Sequence, residues 1–201
     1  MASNTEIKNI FLSASIPLPE RDPKYIDSAD IIAIRDAVIA LVTTVLPHHR
    51  IIWGGHPSIT PLVYYVMDKM NLNIHKHVTL YQSRFFEKYF PDDNNKFENV
   101  ILTDIIENDR DKSLLNMRER MLSESEFSAA VFIGGMEGIR DEYNMFTEKH
   151  PDVKTLLPLA STGGATKEVY EEIFPEELKN ERFVRDYGYM SIFQKFLIEK
   201  I

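Results

Sequence analysis

The chain has 201 residues, of which 44% are hydrophobic and 27% are charged, close to the averages for soluble globular proteins. Its 31 acidic residues outnumber its 23 basic residues, and the formal net charge of −8 argues against a protein that binds long nucleic acids through a basic face. The chain contains no cysteine, which excludes disulfides, thiol catalysis and cysteine-ligated zinc.

The sequence shows no pattern typical of secretion or membrane insertion. Its first nine residues lack the basic segment and the apolar run of a signal peptide. The most apolar stretch, residues 31–46, is interrupted by Arg35 and Asp36 and is shorter than the roughly 20 apolar residues that cross a bilayer. We therefore predict a cytoplasmic protein that binds neither membranes nor long nucleic acids.

Short β-branched runs alternate with helical patterns along the chain. In chain order, we first predict a strand at 9–14, a helix at 28–46, a strand at 50–53, a helix beginning near 58, a strand at 77–81, a helix at 83–90 and a strand at 99–103. We then predict a helix at 109–124, a strand at 129–133, a helix at 137–149, a strand at 154–159 and a helix at 165–174.

Two serines are predicted to cap helices, because a serine hydroxyl accepts a hydrogen bond from the open N–H groups of a first turn. Ser28 is the predicted cap of the first helix and Ser58 that of the second. The second helix is predicted to bury a stripe at helical spacing, formed by Leu62, Tyr65, Val66 and Met70.

Six strands separated by helices predict an α/β fold: a single doubly wound, Rossmann-like parallel sheet of about six or more strands with helices on both faces. We predict one domain over residues 1–201, with a helical extension from about residue 175. The stripe of Tyr187, Met190, Phe193 and Phe196 in that extension is predicted to pack on the core, and a homodimer face is the alternative.

Small residues cluster where the predicted strands end, the edge at which open parallel sheets bind ligands. They comprise two serines after the first strand and seven of the eight glycines of the chain: Ser13, Ser15, Gly54, Gly55, Gly134, Gly135, Gly138, Gly163 and Gly164. Glycine lets backbone N–H groups approach an anion at a helix N-terminus. We therefore predict a phosphate- or ribose-binding cleft in which the N–H groups of Gly55, Gly135 and Gly164 contact the ligand.

Several common site motifs are absent from the sequence. It has no GxGxxG after the first strand, no GxxxxGK[ST], no GxSxG and no HExxH. His75 and His77 alternate at the start of a strand, and a solvated strand end is favoured there over a metal site. We predict no metal site and no cofactor.

Two segments on either side of the fifth strand resemble a known family. Residues 116–121 (NMRERM) and 134–142 (GGMEGIRDE) are similar to the LOG family of cytokinin-activating phosphoribohydrolases. In that family an Arg-Lys pair on a helix precedes a strand and a Pro-Gly-Gly-x-Gly-Thr-x-x-Glu turn. With Gly54–Gly55, these segments resemble the wider SLOG superfamily, which unites the Smf/DprA proteins with LOG. Residues 11–17 (FLSASIP) are similar to the stand-alone SLOG cluster families, which are proposed to sense or process nucleotide signals in bacterial conflict systems.

The resemblance implies roles for individual residues. Arg118 falls where the LOG catalytic arginine lies, and Glu142 can fill the final glutamate of the motif if the loop holds one extra residue, Glu137. The sequence departs from the motif at three positions: Ile133, Ile139 and Glu119 replace its proline, threonine and lysine. Loss of the threonine removes a hydroxyl that would face the phosphate. The resemblance also implies a homodimer.

These residues are consistent with three functions. The first is a sensor that binds a nucleotide or a nucleotide-derived signal, with Arg118 and Arg140 supplying positive charge. The second is an enzyme that cleaves the N-glycosidic bond of a nucleoside monophosphate or a related nucleotide. In it Glu142 stabilises the positively charged ribosyl transition state or activates water, Arg118 orients the phosphate or sugar, and Asp104 is a second candidate carboxylate. The third is an interaction module with a vestigial pocket.

Overall fold

The computed structural model of the chain describes residues 6–70 and 77–201. Six strands form one parallel sheet in the order β4-β3-β2-β1-β5-β6. The strands are β1 (Asn9–Ser15), β2 (Arg50–Trp53), β3 (Val78–Ser83), β4 (Val100–Thr103), β5 (Ala129–Gly134) and β6 (Leu156–Leu159). The predicted doubly wound α/β fold is confirmed. Of the predicted histidine pair, His77 directly precedes β3 and His75 lies outside the described residues.

The helices connect consecutive strands and follow the last one. They are α1 (Pro23–Ser28), α2 (Ile31–Val45), α3 (Thr60–Met70), α4 (Arg110–Ser123), α5 (Glu137–Lys149), α6 (Gly164–Glu168), α7 (Arg182–Arg185) and α8 (Tyr189–Phe196). Short 3₁₀ helices lie at Arg84–Tyr89, Asp92–Lys96, Ala160–Thr162, Glu176–Leu178 and Ile198–Lys200, and a π-helical turn at Val169–Ile173 continues α6. In the part of the chain that the structure describes, no helix has the length and apolarity to cross a membrane.

The predicted cap of the helix at 28–46 is wrong, because two helices occupy this region. Ser28 is the last residue of α1, and the Asp30 carboxylate caps α2 by accepting a hydrogen bond from the Ala33 N–H at 2.9 Å. The Ser28 hydroxyl instead accepts a hydrogen bond from the Gly164 N–H at 3.2 Å. Ser58 also does not cap the next helix, which begins two residues later at Thr60.

The predicted buried face of α3 is wrong in part. Val63, Val66 and Met67 face the core, whereas Tyr65 is 53% exposed. The Lys69 amine lies over the Tyr65 ring, 5.8 Å from its centroid, so the tyrosine packs with a charged neighbour at the surface. Val66 is buried as predicted, and Leu62 and Met70 are half-buried against the core. The buried face is therefore wider than the predicted stripe, and of the four predicted residues it excludes Tyr65.

The sheet is covered on both faces. α2 contacts β1, β2 and β5 and packs against α3 and α8, while α5 contacts β1 and β5 and packs against α4. Every residue of β5 is buried, which explains its unbroken apolar sequence. In β1 the Phe11 ring stacks on Phe146 of α5, with centroids 5.4 Å apart. Since side chains alternate along a strand, Ser13 points to this same face at the carboxyl end of β1.

Some of the C-terminal residues pack against α2, and others are exposed to solvent. Phe193 and Leu197 are fully buried, and the Thr44 hydroxyl of α2 lies 3.6 Å from the Met190 sulfur of α8. Tyr187 and Met190 keep about half of their surface exposed. The predicted apolar stripe therefore lies partly in the core and partly at the surface.

Candidate functional site

A cavity of about 280 Å³ opens at the carboxyl ends of β1, β2 and β3, beside α4 and α5. β1 lies between β2 and β5, so the chain reverses its direction across the sheet at this strand. Open α/β sheets bind ligands at such a reversal because the loops on either side of it diverge and leave a crevice. The cavity therefore lies where the fold favours a ligand site.

A serine, a glutamate and an arginine from three elements meet in the cavity wall. The Ser13 hydroxyl of β1 donates a hydrogen bond to Oε2 of Glu142 on α5, at 2.5 Å. Nε of Arg118 on α4 donates to Oε1 of the same carboxylate, at 3.1 Å. The Arg118 and Glu142 side chains are only 15% and 14% exposed. Two partners thus fix the orientation of the carboxylate, and Asp141 pairs with the other side of the guanidinium at 3.3 Å.

Gly138 lets the Arg118 guanidinium lie against the first turn of α5. A Cβ on Gly138 would lie 2.6 Å from Nη2 of Arg118, too close for the two atoms to coexist. Among the described residues, no side chain caps α5. The partial positive charge at this helix N-terminus therefore adds to that of the guanidinium. Both favour an anionic group in this part of the cavity.

Of the three Gly-Gly pairs, Gly54–Gly55 lines the cavity. Gly55 has a φ of +63°, a conformation that favours glycine. A Cβ there would overlap Nε2 of Gln82 and lie 2.7 Å from Cδ1 of Leu80. The glycine therefore provides the space that the Gln82 amide occupies.

The other two pairs, Gly134–Gly135 and Gly163–Gly164, do not line the cavity but pack against each other. A Cβ on Gly164 would lie 2.6 Å from the carbonyl oxygen of Gly135. Their N–H groups are also engaged: that of Gly135 donates to the Ser15 carbonyl at 2.8 Å, and that of Gly164 to the Ser28 hydroxyl. In this structure, protein acceptors therefore occupy the two N–H groups that are predicted from the sequence to contact the ligand.

The remaining predicted residues divide between the cavity and the surface. Ser15 lines the cavity. Arg140 lies outside it and pairs with Glu172 at 2.6 Å, and Asp104 is exposed beyond its rim. Sequence reasoning missed other lining residues, several of them at the end of β3: Arg21, His56, Gln82, Phe86, Tyr89, Phe90 and Arg110. Ligands bind at the carboxyl ends of parallel strands, so the same rule applied to β3 predicts Gln82, Phe86, Tyr89 and Phe90. It gives no signal for Arg21 or Arg110.

The family comparison agrees with this fold. The model of the SLOG cluster3 family matches residues 24–197. The chain belongs to the SLOG cluster3 family. No curated protein is detectably similar to it in sequence.

In this SLOG cluster3 protein the positions that depart from the LOG motif have distinct surroundings. Ile133 is fully buried in β5, Ile139 lines the cavity, and Glu119 is exposed on α4 outside the lining. Glu137, the extra residue of the loop, forms an ion pair with Arg21, and both line the cavity. The apolar side chain of Ile139 therefore stands in the wall where the motif has a hydroxyl, and the Arg21 guanidinium compensates the charge of Glu137.

His56 contributes a neutral side chain to the cavity of the SLOG cluster3 protein. Burial, together with the smaller effect of the positive charge of Arg21, lowers the pKa of its imidazole from 6.5 to about 4. Its Nδ1 accepts a hydrogen bond from the Ser58 N–H at 3.2 Å, so the proton of the neutral ring is on Nε2. At neutral pH His56 can therefore donate one hydrogen bond without adding charge.

This pKa predicts how stability depends on pH. Between pH 6.5 and about 4 the unfolded chain protonates His56 while the folded protein does not, so the free energy of unfolding falls as the pH falls through this range. We expect the wild type to lose up to about 3 kcal/mol more than His56→Gln between pH 7 and pH 4. Urea unfolding of both proteins across this range measures the difference. Parallel curves would contradict the burial of a neutral imidazole.

In residues 6–70 and 77–201 of the SLOG cluster3 protein, no three histidine, aspartate or glutamate side chains lie close enough together to hold a metal ion. The cavity wall instead combines three guanidinium groups, from Arg21, Arg110 and Arg118, with the carboxylates of Glu137 and Glu142. Arg118 also pairs with Asp141, and Arg110 pairs with Asp111, so each guanidinium group of the wall has a carboxylate partner in the protein. The positive groups of the cavity are thus balanced locally, in a protein whose formal charge is −8.

Proposed function

We propose that the cavity binds a nucleotide or a nucleotide-derived signal. Membership of a SLOG family suggests a nucleotide-related function in general. The observation that carries the proposal is the position of Arg118, whose guanidinium is fixed in the wall of a cavity at the reversal point of the sheet. An arginine held in this way presents N–H donors suited to a phosphate or to ribose oxygens.

The size and the charge of the cavity favour a small anion. Its volume of about 280 Å³ is at the lower end of the roughly 300–1,000 Å³ that is common for ligand sites. The guanidinium groups of the wall and the uncapped N-terminus of α5 can bind one phosphorylated metabolite, while the negative charge of the whole molecule repels polyanions. A ligand about the size of a mononucleotide therefore fits better than a long nucleic acid.

A panel of nucleotides tests this proposal by thermal denaturation. The panel contains the four nucleoside 5′-monophosphates, cyclic AMP, ADP-ribose and NAD. A ligand present at 100 times its Kd stabilises the folded state by about 2.7 kcal/mol, so at least one member is expected to raise Tm by several degrees. Inorganic phosphate at the same ionic strength is the control. No rise in Tm with any member would count against nucleotide binding.

A second candidate function is hydrolysis of an N-glycosidic bond, favoured by the placement of Glu142. Its carboxylate lies in the cavity wall and is oriented by Ser13 and Arg118. A carboxylate beside the anomeric carbon of ribose would stabilise the positive charge that develops as the base departs, or would orient the attacking water. Arg118 would hold the phosphate or the sugar in place.

The hydrolase is tested by measuring free base released from AMP and the other monophosphates. If the protein is this enzyme, we expect Glu142→Gln to lower the rate at least about 100-fold, because the neutral amide can neither stabilise the cation nor accept a proton. Glu148→Gln, at an exposed glutamate of the same helix, is the matched control and is expected to keep the wild-type rate. Absence of free base with wild-type protein would reject hydrolysis and leave ligand binding unaffected.

We further propose that the protein acts as a sensor in a bacterial conflict system and that it self-associates. The first rests on the role proposed for the stand-alone SLOG cluster families. The second is supported by the apolar surface that Tyr187 and Met190 leave exposed beside α2. Light scattering after size exclusion measures the oligomeric state, and the mass of a single chain at all concentrations would reject self-association.

A further inference from the structure

One part of the cavity wall is formed neither by Gly54–Gly55 nor by Arg118 and its partners. It is formed by the end of β3 and by the residues that follow it: Gln82, Ser83, Phe86, Tyr89 and Phe90. β3 is separated from β1 by β2, so the ends of β1 and β3 are about 10 Å apart. One ligand that contacts both the end of β1 and the end of β3 must therefore span about 10 Å.

The Gln82 side chain is a polar group of this part. The residue is only 6% exposed, and among the described residues its amide group forms no hydrogen bond. Its Nε2 occupies the space beside Gly55, another lining residue, so the amide lies at the cavity surface. Unlike the indole nitrogen of Trp53, its polar atoms are not enclosed without a partner, so the amide stays open to the cavity. It is placed to bond a molecule in the cavity.

Aromatic side chains lie next to this amide in the sequence and in the wall. Phe86 and Phe90 are partly exposed, and Tyr89 is 63% exposed. Exposed rings in a cavity offer flat surfaces on which a planar group stacks, as aromatic side chains do in proteins that bind unpaired bases. Gln82 and these three residues, which we call the β3 wall, combine a stacking surface with an amide.

We propose that the β3 wall binds the base of the nucleotide. An amide presents one donor and one acceptor side by side, and a nucleobase edge does the same, so the two can form a pair of hydrogen bonds. The inference rests on the proposed function and adds that the ligand is held by its base as well as by its phosphate and sugar. A sugar phosphate without a base leaves Gln82 unpartnered and the aromatic rings uncovered.

Isothermal titration with two kinds of ligand tests this assignment. The ligands are the four nucleoside 5′-monophosphates and ribose 5-phosphate. We expect wild-type protein to bind its preferred monophosphate at least about 10-fold more tightly than ribose 5-phosphate, since only the former makes the amide pair. Gln82→Met is expected to weaken the monophosphate about 10-fold and to change the affinity for ribose 5-phosphate less than about 2-fold.

Two further variants make the result specific. Gln194→Met changes the exposed glutamine of α8, outside the cavity lining, and is expected to leave both affinities unchanged. Phe90→Leu removes a ring without touching the amide, so it tests the β3 wall even if Gln82→Met does not fold, and it is expected to weaken only the monophosphate. Equal wild-type affinities for the two ligands, or equal losses for both in Gln82→Met and Phe90→Leu, would overturn the base site while nucleotide binding stands. If wild-type protein binds none of the monophosphates, the base site and the proposed function both fail.

Discussion

Replacing Arg118 by methionine is expected to weaken nucleotide binding by about 10- to 100-fold. A hydrogen bond to a charged group contributes roughly 1.5–3 kcal/mol, and Glu142 and Asp141 use only Nε and Nη1 of the guanidinium as donors. The helix dipole of α5 and the more exposed Arg21 and Arg110 remain in the variant, so part of the attraction for an anion persists. Isothermal titration with the preferred nucleotide of the panel measures the loss.

The same substitution is expected to lower the free energy of unfolding by about 3 kcal/mol, because it leaves the nearly buried Glu142 carboxylate without its cation. The double variant Arg118→Met/Glu142→Gln removes this unpaired charge and is expected to recover much of the stability but not the binding. Arg120→Met is the matched control, since Arg120 lies on the same helix and pairs with Glu124 outside the cavity. If the double variant binds the nucleotide as tightly as wild type, Arg118 is not a ligand contact.

Gly163→Ala is expected to lower the free energy of unfolding by at least about 4 kcal/mol or to prevent folding. Gly163 has a φ of +69°, and a Cβ there would overlap the Ser28 carbonyl oxygen and lie 2.8 Å from Cα of Ala29. These are backbone atoms that cannot rotate away, so the junction between α1 and α2 would have to move. Thermal and urea unfolding followed by circular dichroism measure the effect.

Gly188→Ala provides the comparison for this substitution. Gly188 has a φ of −78°, and its Cβ would lie 3.0 Å from Oδ1 of Asp186, on a side chain that can rotate. We expect a change within about 1 kcal/mol. A Gly163→Ala protein as stable as Gly188→Ala would show that Gly163 packs less closely against the junction of α1 and α2 than the structure has it.

The sequence predicts elements well where a local pattern and the tertiary contacts agree. The helix predicted at 137–149 is α5 with the same bounds, because its apolar spacing matches the face that packs on the sheet. β5 is recognisable because a parallel strand buried on both faces reads as an unbroken apolar run. The resemblance to LOG predicts functional roles for Arg118 and Glu142. Their side chains form a hydrogen bond because α4 and α5 pack against each other.

Local patterns could not predict which group each polar residue bonds. Ser28 and Asp30 are both good helix caps, and the choice between them depends on Gly164, a residue distant in the sequence that takes the Ser28 hydroxyl. Glycine pairs after strands indicate a backbone with positive φ, but they do not predict whether a ligand or another part of the protein packs against it. For Gly134–Gly135 and Gly163–Gly164 the approaching group is the protein itself, and Gln82 has no sequence signal beyond its place at the end of a strand.

A crystal structure of the protein with its preferred nucleotide would locate the ligand. We expect the phosphate or the ribose within hydrogen-bonding distance of Arg118, in the cavity at the carboxyl ends of β1 and β2 and close to Gly54–Gly55. A nucleotide bound outside this cavity, or one inside it with no contact to Arg118, would show that Arg118 does not form the binding site.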